Sequence, residues 1–267
     1  MPTVTRDGIE VDYLDEGAGP LVVLLHSSVS GNRQWRRLMA DLAPHYRCVA
    51  PNLLGYGQTS AWHDQRKQTL CDAAAVALAV CDLSDGPVRL VGHSWGGAVA
   101  LSAAQALGPR VSHMALYEPM LIGLLAGHGR AVAMQEAEEM YRWVRTHGDA
   151  GNWIALAQVF TDYFNGAGTW AAAPPDRQAA VASQLPPNRH EWDAGAPAIT
   201  TEQFQGIQAR TLIMRGAQTR LVLRETAELL VQAFPAWELR ELTDAGHMGP
   251  MTHGQQVNGH IAQWLST

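Results

Sequence analysis

Apolar residues arrive along this chain in two rhythms. Short continuous runs occupy positions 21–25 (LVVLL), 47–51 (RCVAP), 88–92 (VRLVG), 112–118 (SHMALYE), 211–216 (TLIMRG) and 237–242 (WELREL). Runs of this length suit strands covered on both faces of a sheet. Between them, apolar positions recur at helical spacing over 35–43, 70–83, 95–107, 225–234 and 255–265. The first residues read as a hairpin, turning at Asp7-Gly8 and continuing with alternating character from Ile9 to Leu14. Strands alternating with helices imply right-handed βαβ crossovers. The pattern therefore predicts a doubly wound, mostly parallel sheet of eight strands, an α/β fold.

The rhythm breaks once. From 119 to 197 no strand pattern appears, only helical stretches joined by Ala173-Pro174-Pro175 and Leu185-Pro186-Pro187. Glu136, Glu138 and Glu139 alternate there with Val132, Met140, Tyr141 and Val144, as on an amphipathic helix. So long an interval is not a loop. It predicts an inserted helical module, with a core formed by 1–118 and 198–267.

Composition narrows the class. Of 267 residues, 47% are hydrophobic and 16% charged, so a large core is expected and disorder is not. The formal charge of -6, without clustered Lys or Arg, speaks against a nucleic-acid surface. Cys48, Cys71 and Cys81 lack metal-ligand spacing and read as reduced thiols. The charged, alternating N-terminal segment carries no signal-peptide core, and no apolar stretch approaches the ~18 residues of a membrane span. The expectation is a soluble, cytoplasmic monomer or homodimer acting on a small molecule.

The chemistry concentrates in VRLVGHSWGGAVALSAAQAL. A buried strand ends at Gly92 and Gly92-His93-Ser94-Trp95-Gly96 leads directly into a helix, the setting in which G-x-S-x-G forms a nucleophile elbow. Glycines flank Ser94 because so tight a turn leaves little room for side chains. A serine needs a base. Among 11 histidines, His247 lies in LTDAGHMGPM just after the last strand pattern, on the carboxyl edge where α/β sheets gather their chemistry. His253 and His260 are weaker candidates beside the final helix. The amide of Trp95 and that of Ser28, in the loop after the 21–25 strand, are the candidate oxyanion-hole donors, with the Ser27 or Ser28 side chain as possible help.

Taken together, LLHSSVSGNRQW, VAPNLLGYGQTS, GHSWGG and AGHM resemble the oxyanion loop, the Pro-Asp…Gly-x-Gly-x-Ser segment, the elbow and the histidine loop of the α/β-hydrolase superfamily. The resemblance implies that the inserted module is a cap. There are three departures. Ser27 stands where the family usually has glycine, and Asn52 where it usually has aspartate. The acid that orients the histidine is usually three residues after the glycine closing the seventh strand. That position holds Thr219. Glu118, ending the 112–118 strand, is the candidate replacement, as in some haloalkane dehalogenases that this segment resembles. Asp244, three residues before His247, is the other acid considered.

A serine at position 94, where dehalogenases and epoxide hydrolases carry aspartate, implies an acyl-enzyme. Esters, lactones, thioesters, activated amides or C–C bonds beside a carbonyl are then the substrates, with no metal or organic cofactor required. A small or medium, largely apolar carboxylic ester is the leading expectation, with cap residues such as Phe160, Phe164 and Trp170 among those available to line the pocket. A C–C bond hydrolase of a ring-cleavage product, a hydroxynitrile lyase and a ligand receptor on the same fold are the competing readings.

Overall fold

The computed structural model describes residues 1–63 and 65–267. Eight strands form one sheet in the order β1-β2-β4-β3-β5-β6-β7-β8. They are β1 (Thr3–Arg6), β2 (Ile9–Glu16), β3 (Leu21–Leu25), β4 (Arg47–Pro51), β5 (Val88–His93), β6 (Val111–Tyr117), β7 (Arg210–Gly216) and β8 (Glu238–Leu242). The hairpin β1-β2 joins antiparallel, with β2 against β4, and every pairing from β4 to β8 is parallel. All five residues of β3 are buried, which is why that run is apolar throughout rather than alternating.

The helices are α1 (Arg36–Leu42), α2 (Leu70–Cys81), α3 (Trp95–Leu107), α4 (Ile122–Gly127), α5 (Ala131–Asp149), α6 (Trp153–Asn165), α7 (Thr169–Ala172), α8 (Pro175–Ser183), α9 (Pro186–Gly195), α10 (Leu221–Ala233), α11 (Gly249–Thr252) and α12 (Gly254–Leu265). Helices α2 and α3 cover one face of the sheet, while α1 and α12 cover the other, giving two apolar layers. Helix α2 starts at a capping box: Thr69 Oγ1 accepts from the Asp72 backbone N–H, and the Asp72 carboxylate accepts from the Thr69 N–H.

Helices α4 to α9 all fall between β6 and β7. In α5 the buried residues are Ala133, Ala137, Met140, Val144 and Gly148. Val132 is 70% exposed, so it is not part of the apolar stripe that the sequence pattern suggests. Alanines supply part of that stripe, and a small alanine is easily overlooked beside a large valine. Helix α10 begins at Leu221, four residues earlier than its apolar spacing indicates, because Leu221, Val222 and Leu223 read equally well as strand. Among the described residues, no helix is long and apolar enough to cross a membrane.

Candidate functional site

Ser94 sits between β5 and α3 with φ 55° and ψ -120°, a conformation that costs an L-residue energy. The turn holds because its glycines permit it. A Cβ on Gly92 would stand 2.6 Å from the Gly96 carbonyl oxygen, and one on Gly96 2.3 Å from that of Leu25. The Ser94 N–H donates to the Tyr117 carbonyl (3.0 Å), and its carbonyl accepts from the N–H groups of Gly97 (2.9 Å), Ala98 (3.2 Å) and Met120 (3.0 Å). The strain is thus held by four backbone hydrogen bonds.

Three side chains from distant parts of the chain meet here. The Ser94 Oγ and His247 Nε2 are 3.0 Å apart, and His247 Nδ1 lies 2.7 Å from Glu118 Oε2. A carboxylate accepts, so Nδ1 carries the proton and Nε2 is left to accept the Ser94 hydroxyl. All three are buried, Glu118 completely. Thr219, in the slot where the acid is usual, donates its hydroxyl to Glu118 Oε2 (2.7 Å), and the Gly216 N–H donates to Oε1 (2.8 Å). Glu118 itself has φ 44°, and its N–H donates to the Met214 carbonyl of the neighbouring strand (2.9 Å). The carboxylate therefore arrives from β6 at the place that the loop after β7 normally fills. Asp244 is exposed, and neither it, His253 nor His260 takes part in this chain of bonds.

Two candidate donors stand on the segments beside this serine, the backbone N–H groups of Ser28 and Trp95. Neither has a partner among the described residues. The surrounding loops are held by groups that sequence reasoning passed over. Gln34 Oε1 accepts from the Ser27 N–H (3.1 Å) and hydroxyl (3.0 Å), while its Nε2 reaches His93 Nδ1 (3.2 Å). The other ring nitrogen of His93 donates to the His247 carbonyl (2.9 Å). His93 is completely buried, and burial drives its pKa well below the ordinary value, so the ring is neutral and can bridge the two loops. The Tyr117 hydroxyl donates to the Gly246 carbonyl (2.7 Å), fixing the histidine loop from beneath. His26 is likewise buried and pushed down to about 4. It accepts from the Leu53 N–H (2.9 Å) and faces the Ser27 carbonyl (2.7 Å).

Asn52 repeats the pattern of Thr219. Its Nδ2 donates to Asp12 Oδ2 (2.8 Å), and the Asp12 carboxylate also accepts from the Gln58 N–H and the Thr59 hydroxyl. At both departures a carboxylate from another strand stands beside the substituted residue.

A cavity of about 160 Å³ opens over Ser94 and His247. Phe160, Phe164, Trp170 and Val181 from the inserted helices give it apolar walls, while Arg177 and Gln178 of α8 add polar groups. Phe164 packs on the His247 ring with centroids 4.8 Å apart. Among the described residues, no group of His, Cys, Asp and Glu is arranged to hold a metal ion.

Comparison with known proteins agrees with this fold. The sequence model of the alpha/beta hydrolase fold matches residues 20–254. A 2-hydroxy-6-oxo-2,4-heptadienoate hydrolase of Pseudomonas putida is 29% identical over 91% of this chain and 88% of its own. A lipase of Mycobacterium tuberculosis is 28% identical over 93% of this chain and 94% of its own. The crystal structure of the enol-lactonase from Burkholderia xenovorans superposes over 100% of both chains with a TM-score of 0.79 at 19% identity. With a nucleophile-elbow turn, a buried histidine–carboxylate pair and a family model spanning most of its length, the chain belongs to the α/β-hydrolase fold family.

Proposed function

We propose that the protein is a serine hydrolase of small to medium carboxylic esters or lactones, working through an acyl-enzyme on Ser94. The observation that carries the reading is the Ser94–His247–Glu118 chain of hydrogen bonds beside two unengaged N–H groups. His247 Nε2 takes the proton of Ser94 as Oγ attacks the carbonyl carbon. The resulting oxyanion accepts from the Ser28 and Trp95 N–H groups, and Glu118 stabilises the imidazolium without itself taking the proton. His247 then protonates the departing alkoxide. Water, deprotonated by the same histidine, releases the acid and restores Ser94.

The inserted helices act as a cap that selects the substrate, since α6, α7 and α8 supply most of the pocket wall. A cavity of this size suits a short acyl group better than a long lipid tail. The test is hydrolysis of p-nitrophenyl esters from acetate to decanoate by wild type and Ser94→Ala. Turnover peaking near butyrate and lost in the variant is expected. Equal rates in the two proteins would sink the reading.

A second reading has its own support. Arg177 lines the pocket without a partner among the described residues, so its guanidinium is available to a substrate carboxylate. The dienoate hydrolase of Pseudomonas putida carries such a carboxylate in its substrate's name. C–C cleavage of a vinylogous keto acid uses the same serine and base. Turnover of a dienoate that Arg177→Met abolishes, with simple esters left untouched, would select this reading over the first.

A further inference from the structure

A second buried polar region lies where α9 meets the oxyanion loop. Glu191 of α9 is 2% exposed and Asn188, one turn earlier, 0%. The Asn188 amide donates to Glu191 Oε2 (3.0 Å). The other carboxyl oxygen, Oε1, is buried without a hydrogen bond, and so is the Ser28 hydroxyl that lies against it. The Tyr56 hydroxyl also borders this carboxyl and at the same time accepts from the Val29 N–H (3.0 Å). Val29 has φ 55°, a left-handed conformation that a β-branched residue adopts only under constraint.

The neighbours of α9 fit one purpose. Pro187 presses on Gly55 of the Tyr56 loop, where a glycine Cβ would meet its ring at 2.8 Å. Gly195, at the other end of the helix, faces the Trp95 ring, which a Cβ would touch at 3.5 Å. One inserted helix thus touches the residues that carry both candidate oxyanion donors, Ser28 and Trp95. Glu191 stands at its centre, with two hydroxyl donors to hand.

We infer that Glu191 is a positioning residue: its buried carboxyl group, seated against the Ser28 and Tyr56 side chains, braces the Ser28–Val29 turn, so that the oxyanion hole is complete only with α9 docked. This rests on the serine-hydrolase reading above. The strained Val29 turn has no other side-chain support among the described residues, and an unsupported loop would lose its donor geometry before its fold. Burial pushes the Glu191 carboxyl up to about 7, against the pull of Ser28, Asn188 and Tyr56. Among the described residues, Tyr56 is the titratable group that faces it. A carboxyl buried with one oxygen unbonded, and with no ion pair among the described residues, costs the fold stability rather than adding to it.

The test uses the whole protein with an alkyl fluorophosphonate, which phosphonylates Ser94 with loss of fluoride and needs no knowledge of the natural substrate. Wild type, Glu191→Gln and Tyr56→Phe are compared in phosphonylation rate, in kcat and KM for the best p-nitrophenyl ester, and in unfolding temperature. The expected result is that both variants fold, with phosphonylation and kcat about tenfold or more slower and KM little changed. Glu191→Gln should also unfold at a higher temperature than wild type at pH 8, which separates positioning from a structural role. Variants matching wild type in phosphonylation and kcat would overturn the inference while leaving the serine hydrolase intact. A wild type that does not react at all would overturn both.

Discussion

Two glutamates lie buried behind residues that line the pocket, Glu118 against His247 and Glu191 against Ser28, and their surroundings differ sharply. Glu118 is met on every side: Gly216, Thr219 and His247 all donate to it. Glu191 has one donor within good geometry and an orphaned oxygen. The first stands at the end of β6, where the adjoining strand β7 delivers the Gly216 N–H and the loops after β7 and β8 bring the Thr219 hydroxyl and the His247 ring. The second is carried by a helix laid on top, and its partners come from loops that must come to meet it. A rigid sheet can satisfy a buried charge completely, whereas a docked helix leaves its satisfaction dependent on docking.

The contrast can be attacked from the outside in. Ser94→Ala and His247→Ala should each lower kcat by about 10⁴-fold or more, since members of such a set act as one unit. Glu118→Gln should lower kcat by roughly 10³–10⁴-fold, because the neutral amide no longer stabilises the imidazolium. If that variant keeps near-wild-type activity by initial-rate kinetics, Glu118 is not the acid.

Glu191→Gln sharpens the comparison through stability. The Glu191 value is raised from 4.5 to about 7, so the folded chain holds a proton that the unfolded chain releases. That contribution is present below pH 4.5 and is lost as pH rises through 7. The variant, having no such proton, should therefore gain stability over wild type between pH 5 and pH 8, by up to about 3 kcal/mol. Urea midpoints at the two pH values measure it, and a gap that stays constant with pH would contradict the picture. The smallest effect is expected for Thr219→Val, which removes one of three donors to Glu118: about 1 kcal/mol in stability and about tenfold in kcat. A silent Thr219→Val would mean that the hydroxyl only fills space.

Much of this was legible in the sequence, and the limits have physical causes. The six runs of the parallel sheet are visible because strands covered on both faces are apolar throughout. Ser94 and His247 are visible because tight turns demand glycines and because chemistry gathers at strand ends. Glu118 could be read only by noticing that Thr219 cannot do an acid's work, so one misfit pointed to another residue 101 positions away. Glu191, Tyr56, Gln34 and His93 left no such trace. Their roles depend on contacts between segments far apart in the chain, and a glutamate in a polar helical stretch looks like any solvated residue. Asn52 shows the same limit: its aspartate partner, Asp12, sits in a hairpin strand whose spacing says nothing of the pairing.

The Thr219 hydroxyl has a consequence for how such a site can change over generations. An aspartate at 219 beside an intact Glu118 would set two carboxylates against one another over one histidine, and each would raise the other's affinity for protons. Thr219→Asp alone is expected to lower kcat, and so is Glu118→Gln alone, while the double change would again leave a single acid beside His247. The uncharged Thr219 hydroxyl thereby leaves Glu118 as the one carboxylate bonded to His247 among the described residues.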